Sequence, residues 1–473
     1  MTRGQPTTRS GRWAELGLLV LAWGIGVAGD WLTYLNRGMD IPATWWVGPA
    51  LWGVMVFGVH LVVRLRLKFA DPVILPCAVA VAGIGLVMQQ RLDMALGTHH
   101  VVNQLIGLAV GMAAFAAVLI WLRDYRVLQR FPYVLFLLGL GFLLMPLLPV
   151  IGNPVNGSRI WISVFGYSFQ PAEAAKIILT LAFASYLADR SEVLQNAGKK
   201  LGALTFPRLR DLVPLLIMFA AALVVLVYQN DFGTAMLFFG LFVMMLYVAT
   251  DQLSWVVGGL IGFGCAAFFI FKYTSHVQVR VDSWLRPFDN VDQNGQIIEG
   301  QFGIAWGGLF GRGWGLGSPT RIPLADTDFI SAAIAEELGL VGLVAILLLY
   351  TFIVARGLKS ALMARESFGK LLACGLSFVI VLQVFAIVGG VTRLLPLTGL
   401  TTPFLSRGGS SLLANWVIMA LLMTVSHQAR QPVVAFEPFV DLEAEETAVI
   451  DLSEVLDDDS VRPRVQQSEG SPE

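Results

Sequence analysis

Charge is what this sequence has least of. Only 14% of its 473 residues are Asp, Glu, Lys or Arg, and its mean hydropathy is +0.71. A soluble domain carries roughly a quarter charged residues. So few charges cannot cover a water-facing surface, and the bilayer has to be part of the solvent. The net charge of −1 gives no polycationic footprint, so the partners implied do not include nucleic acid. Cysteine is scarce as well. Cys77, Cys265 and Cys374 each lie in an apolar run, in no disulfide or metal-ligand spacing, and read as small packing residues. No repeat of 20–50 residues is present. A cleavable signal is also missing. The apolar run after the basic stretch Met1–Arg12 is long and lacks a small-residue cleavage site, so it reads as a first span that is retained.

What the chain has instead is apolar runs of membrane-spanning length, ~20 residues. Candidates lie at 14–35, 44–63, 72–90, 101–122, 132–150, 173–188, 212–228, 234–250, 253–272, 329–354, 370–390 and 410–427. The pattern predicts an all-α, polytopic integral membrane protein of about twelve helices. Basic clusters follow alternate spans: Arg3, Arg9 and Arg12; Arg64, Arg66 and Lys68; Arg123, Arg126 and Arg130; Lys199, Lys200, Arg208 and Arg210; Arg356, Lys359, Arg365 and Lys370. All five fall on one side, which the positive-inside rule makes cytoplasmic, with both termini there. Loops 151–172, 273–328 and 391–409 then lie outside. Residues 1–70 hold a tail and two spans, and 71–427 form a core with the large loop 273–328. Residues 428–473 read as an acidic, disordered cytoplasmic tail.

Charged residues at the external ends of the spans are the candidates for chemistry. Glu173 and Lys176 follow Gln170-Pro171 at the start of a span, three apart and so on one face. A helix-start acid with a snorkelling lysine is the simple alternative. Asp231 and Asp328 each precede a span, where an N-cap is the simple reading. Glu336 and Glu337 lie inside a span. Charges there face a cavity or a partner, and both alternatives stay open. Arg159, Arg280, Arg286, Arg312, Arg321, Arg393 and Arg407 stand on the side the positive-inside rule disfavours. As a set they suit an anionic ligand, because Arg matches phosphate geometry.

Four blocks of sequence carry a resemblance. They are Gly157-Ser158-Arg159-Ile160-Trp161-Ile162 with Phe169-Gln170-Pro171-Ala172-Glu173-Ala174-Ala175-Lys176; Asn230-Asp231-Phe232-Gly233-Thr234-Ala235; Thr327-Asp328-Phe329-Ile330 with Ala335-Glu336-Glu337-Leu338-Gly339; and Leu395 through Ser411, including Ser406, Ser410 and Arg407. Over residues 75 to 427 the chain resembles the SEDS family of shape, elongation, division and sporulation proteins. The first two spans resemble an addition found in actinobacterial members, which favours the elongation branch over the division branch.

The resemblance implies a peptidoglycan glycosyltransferase. Its substrate would be lipid II, an undecaprenyl diphosphate bearing a disaccharide-pentapeptide, and its partner a class B penicillin-binding protein. It would sit in the bacterial cytoplasmic membrane. The family's catalytic Asp in the large external loop falls on Asp289, with Asp292 in reserve. Arg159, Trp161, Glu173, Lys176, Asp231, Arg280, Asp328, Glu336, Arg393, Ser406 and Ser410 are the implied substrate contacts. A divalent cation, Mg2+ or Mn2+, is compatible, with no ligand set legible. The donor sugar is α-linked and the product β-linked, so one in-line attack by the acceptor hydroxyl needs a base within hydrogen-bond reach, and cations would stabilise the departing diphosphate. A lipid II flippase and a non-catalytic scaffold for a transpeptidase are the alternatives. Neither needs an acid at position 289.

Overall fold

The computed structural model describes residues 8–155, 157–164, 167–196, 199–201, 204–206 and 209–432. Arg3, Arg208 and residues 433–473 of the expected acidic tail lie outside them.

Each of the twelve apolar runs becomes a helix: α1 (Thr8–Asn36), α2 (Val47–Arg66), α3 (Ile74–Leu96), α4 (His100–Trp121), α5 (Pro132–Leu144), α6 (Pro171–Asn196), α7 (Leu209–Tyr228), α8 (Phe232–Thr250), α9 (Ser254–Tyr273), α12 (Ile330–Met363), α13 (Ser367–Val391) and α14 (Gly409–Arg430). Ten are long and apolar enough to cross a bilayer. The other two are shorter apolar helices, Pro132–Leu147 and Leu212–Tyr228. Pro146 ends the first in a 3-10 turn, and Arg210 and Asp211 take the opening turn of the second.

Helix ends alternate between two faces. One is tied together by Asp71 with Arg356 and Arg430, and by Arg126 with Glu366. It is the basic face. The opposite face carries the long loops. The centre is made by α3, α6 and α14, whose apolar windows are 94%, 83% and 83% buried, whereas that of α9 is 6% buried and looks outward. Small residues let α3 lie at the centre. A Cβ on Gly85 would come within 2.9 Å of the Leu405 backbone. Close approach of this kind drives helix packing where lipid removes the hydrophobic incentive.

The first two helices are fastened to this core through charge. Glu15 of α1 pairs with Arg12 and with His60 Nδ1 of α2, the latter at 2.8 Å. Arg12 also donates to the Ala70 carbonyl, and Asp71 pairs with Arg430 at the end of α14.

The loop face holds more order than the sequence suggests. Loop 151–172 is a three-stranded antiparallel meander, β1 (Gly152–Val155), β2 (Ser158–Val164) and β3 (Tyr167–Phe169), with Trp161 opposite Asn153 and Phe169 opposite Ile162. Loop 273–328 contains α10 (Ser275–Leu285) and α11 (Val291–Gly307). The run expected as a span at 329–354 is not one continuous helix. Gly339 breaks α12 with φ 71° and ψ −175°. The loop after α11 lies in the break: Leu340 and Val341 donate to the carbonyls of Gly308 and Leu309, and the amides of Arg312 and Gly313 donate to those of Glu336 and Glu337. A broken helix survives at membrane depth only when its freed backbone groups are met in this way.

Candidate functional site

The site is built where α10, α11 and the segment 391–407 lie over the loop-face ends of α6, α8 and α12. Pro171 starts α6 where a missing N–H does no harm, which sets Glu173 and Lys176 one turn in. Both are buried. They pair at 2.5 Å, and Lys176 Nζ donates to Gln383 Oε1 of α13 at 2.9 Å. Gln383 in turn donates to the Thr401 carbonyl at 2.8 Å.

Asp231 caps α8, its Oδ1 accepting from the Thr234 amide at 3.1 Å. Its Oδ2 is buried without a hydrogen-bond partner. Burial pushes its pKa up, the Thr234 bonds work against that, and the charge of Glu173 adds to it while Arg280 opposes. Arg280, on α10, points into the same region. One guanidinium nitrogen donates to the Leu397 carbonyl at 2.9 Å, and Asp328 and Asp231 are its charge partners. Burial raises the Asp328 pKa to about 6 against the pull of Arg280. The structure therefore gathers Glu173, Lys176, Asp231, Arg280 and Asp328, which are spread over 156 positions of sequence (173 to 328).

Two adjoining cavities open from this cluster. The inner one, about 180 Å³, is lined by Arg280, Asp328, Leu397, Gly399 and neighbouring residues of α11. The outer one, about 350 Å³, is lined by Asp282, Arg286, Asp289 and Asn290. Ser283, Gln293 and Asn294 line both. Asn294 is the hinge between them: it accepts from Ser283 at 2.6 Å and donates to the Pro287 carbonyl at 2.9 Å. Asp289 ends the 3-10 turn Pro287–Asp289 and is exposed. Asp292, in the first turn of α11, is exposed too but lines neither cavity.

The other expected contacts lie around these cavities. Arg393, at φ 60°, donates to the Trp284 carbonyl at 2.8 and 3.2 Å, and the Trp284 indole donates back to the Arg393 carbonyl. It is a clamp between α10 and α13. Ser406 accepts from the Thr402 amide and donates to the Thr327 carbonyl at 2.6 Å, which fixes the residue before Asp328. Arg407 pairs with Asp326 at 3.0 Å. Glu336 accepts from the Ser318 amide at 2.6 Å, and Glu337 pairs with Arg91 of α3 at 2.8 Å. Both therefore hold the loop that fills the break in α12. Arg159 and Trp161 sit on β2, Arg159 exposed, with only its backbone joined to Gln229. Ser410 is buried in the first turn of α14.

Arg91, Asp282, Gln383 and Asn294 escaped sequence reasoning. Gln383 interrupts an apolar run, the one signal that could have found it, whereas Arg91 lies just past the end of the run at 72–90. No group of three or more His, Cys, Asp or Glu poised for a metal occurs among the described residues.

Known proteins similar to this chain identify its family. The FtsW–RodA–SpoVE family model, described as cell cycle protein, matches residues 72–431. A peptidoglycan glycosyltransferase RodA of Mycobacterium tuberculosis is 45% identical over 441 residues, covering 90% of this chain and 92% of the relative. One from Mycobacterium leprae is 43% identical over 438 residues with the same coverage, and the stage V sporulation protein E of Bacillus subtilis is 32% identical, covering 68% and 86%. Among solved structures, a chain of a peptidoglycan synthase complex aligns at TM-score 0.63 and 24% identity, covering 77% of this chain and 99% of that one. The rod shape determining protein RodA of Thermus thermophilus aligns at 0.55 and 24%, covering 77% and 98%. The match spans both cavities and every helix that walls them, and on that basis the chain belongs to the FtsW–RodA–SpoVE, or SEDS, family.

Proposed function

We infer that the chain is a peptidoglycan glycosyltransferase that polymerises lipid II into glycan strands during cell elongation. One observation carries the reading: an exposed carboxylate, Asp289, stands on a cavity that adjoins a second one holding the Arg280 guanidinium at the membrane end of the bundle. The two compartments suit the two halves of the substrate, sugar above and diphosphate below. The loop face is then the outer side of the bacterial cytoplasmic membrane.

In this reading the acceptor 4-hydroxyl enters the outer cavity and Asp289 takes its proton as it attacks the anomeric carbon. The lipid diphosphate leaves on the opposite side, so the α linkage becomes β. Arg280 meets the charge that builds on the leaving phosphate, the position where fixed cations act most strongly. The Leu397 carbonyl holds Arg280 in place, with Asp328 as its charge partner. A divalent ion, Mg2+ or Mn2+, would add charge compensation at the diphosphate. A class B penicillin-binding protein would crosslink the emerging strand. The test is purified chain with lipid II, alone and with such a partner, and with glycans resolved by size. Long strands are expected. Folded protein that makes none in either mixture would leave the flippase and scaffold readings standing.

A further inference from the structure

Asp289 sits on a short piece of chain. It closes the three-residue 3-10 turn Pro287–Asp289, between the end of α10 at Leu285 and the start of α11 at Val291. Hydrogen-bond geometry within such a turn is poor, and the bond from the Asp289 amide to the Arg286 carbonyl is 3.3 Å long. The helices on either side are anchored elsewhere. Arg280 and Trp284 tie α10 to the carbonyls of Leu397 and Arg393. Helix α11 lies so close to α12 that a Cβ on Gly300 would come within 2.6 Å of the Phe329 ring, and one on Gly307 would strike the Ala335 carbonyl. A general base works only from within hydrogen-bond reach of its proton, so the turn between these anchored helices has to be held as well.

Asn294 supplies the hold. It lies in the first turn of α11, buried, in the wall of both cavities. A carbonyl can only accept, so the amide nitrogen of Asn294 faces the Pro287 carbonyl, at 2.9 Å. Its Oδ1 is thereby turned toward Ser283, whose hydroxyl donates to it at 2.6 Å. Ser283 stands three positions along α10 from Arg280, about one helical turn. One buried amide thus joins the helix that carries the cation to the turn that carries the carboxylate. Asparagine presents a donor and an acceptor side by side. An ionised aspartate lacks the donor, and leucine lacks both.

We propose that Asn294 is a positioning residue for glycan polymerisation: through Ser283 and the Pro287 carbonyl it sets where Asp289 stands relative to Arg280. The proposal rests on the reading of Asp289 as the base. Asn294 itself touches no reacting atom. Without its amide both helices stay on their own anchors and the turn between them drifts. A misplacement of ~1 Å costs as much as a hundredfold in rate. The lipid diphosphate still meets Arg280, so binding changes little.

The test measures lipid II polymerisation by the full-length chain, as kcat and KM, with a melting curve for every variant. Asn294→Ala should lower kcat by about ten- to a hundredfold, leave KM within about twofold and melt like the parent. Asn294→Asp should be as slow, because its carboxylate opposes the Pro287 carbonyl. Ser283→Ala should show the same split between kcat and KM. Ser283→Thr keeps the hydroxyl and should recover most of the rate, a pair that decides the matter even if Asn294→Ala is unstable. The sharpest measurement adds Asn294→Ala to Asp289→Asn. With no base left to place, the added change should cost nothing more, as for residues that act as a unit. A further loss of about tenfold in that background would show that Asn294 acts through something else and overturn the proposal. So would parental kcat in Asn294→Ala, or a raised KM with kcat kept. A normal rate in Asp289→Asn would instead remove the base, and this role with it.

Discussion

Asp289 and Asp292 are three residues apart and both exposed, yet only the first lines a cavity. Removing a general base lowers a rate by roughly a hundredfold or more. Asp289→Asn should therefore lose at least about a hundredfold in lipid II polymerisation with binding largely kept, while Asp292→Asn stays within a few-fold, both measured as initial rates of glycan formation. The reverse ranking would move the base into the first turn of α11, and normal rates in both would remove the base from this loop. Asp328 gives a second expectation, through pH. Its carboxyl pKa is lifted to about 6 by burial, above the ordinary Asp value of ~3.9. Between those two values the folded state holds a proton that the unfolded state has lost, so this group's contribution to stability falls as pH rises through that window. Activity runs the other way, because Arg280 needs the carboxylate. Polymerisation should drop as pH falls through 6, and Asp328→Asn should flatten that limb at a uniformly lower rate. An acid limb unchanged in Asp328→Asn would assign it to another group.

Among the elements, α12 is the one whose sequence misleads. Apolar residues flank Glu336-Glu337 and continue past Gly339, so a single span is the natural reading. The break shows only from the partner loop, whose amides replace the lost helical ones. A Cβ on Gly339 would strike the backbone of Leu309 and Gly311, and the φ, ψ pair of 71° and −175° belongs to a region reserved for glycine and worth about 1–3 kcal/mol. Gly339→Ala should lower the melting temperature and raise hydrogen exchange over residues 308–318 first. Unchanged exchange there would mean the loop is not held by the break. The spans were legible because lipid demands a fixed apolar length. The sheet at 152–169 and helices α10 and α11 were not, because short polar elements over a membrane carry no such demand. For the site, residue types were legible and contacts were not. Glu336 looked like Glu173, since nothing in sequence distinguishes a carboxylate holding the Ser318 amide from one beside a lysine near a cavity.

At the scale of the molecule, orientation rests on where the positive charges lie. With the basic face inside, reporter fusions after Lys200 and after Pro432 should both report cytoplasm. An external signal from either would invert every assignment of the loop face. The tie between Asp71 and Arg430 bears on how such a chain is made. The two residues are 359 positions apart, with nearly every span emerging between them. Asp71 gains its ion-pair partners late, Arg356 with α12 and Arg430 with α14, so when α3 enters the membrane it has to stay among water and lipid head groups. Arrival of α14 closes that pairing, and it also brings Ser426 and His427 onto the amides of Asp71 and Phe69. Assembly of this protein should accordingly end in one late, cooperative step: a ribosome-bound chain stalled before α14 would remain open to a quality-control protease at its N-terminal helices, long after those helices had been inserted.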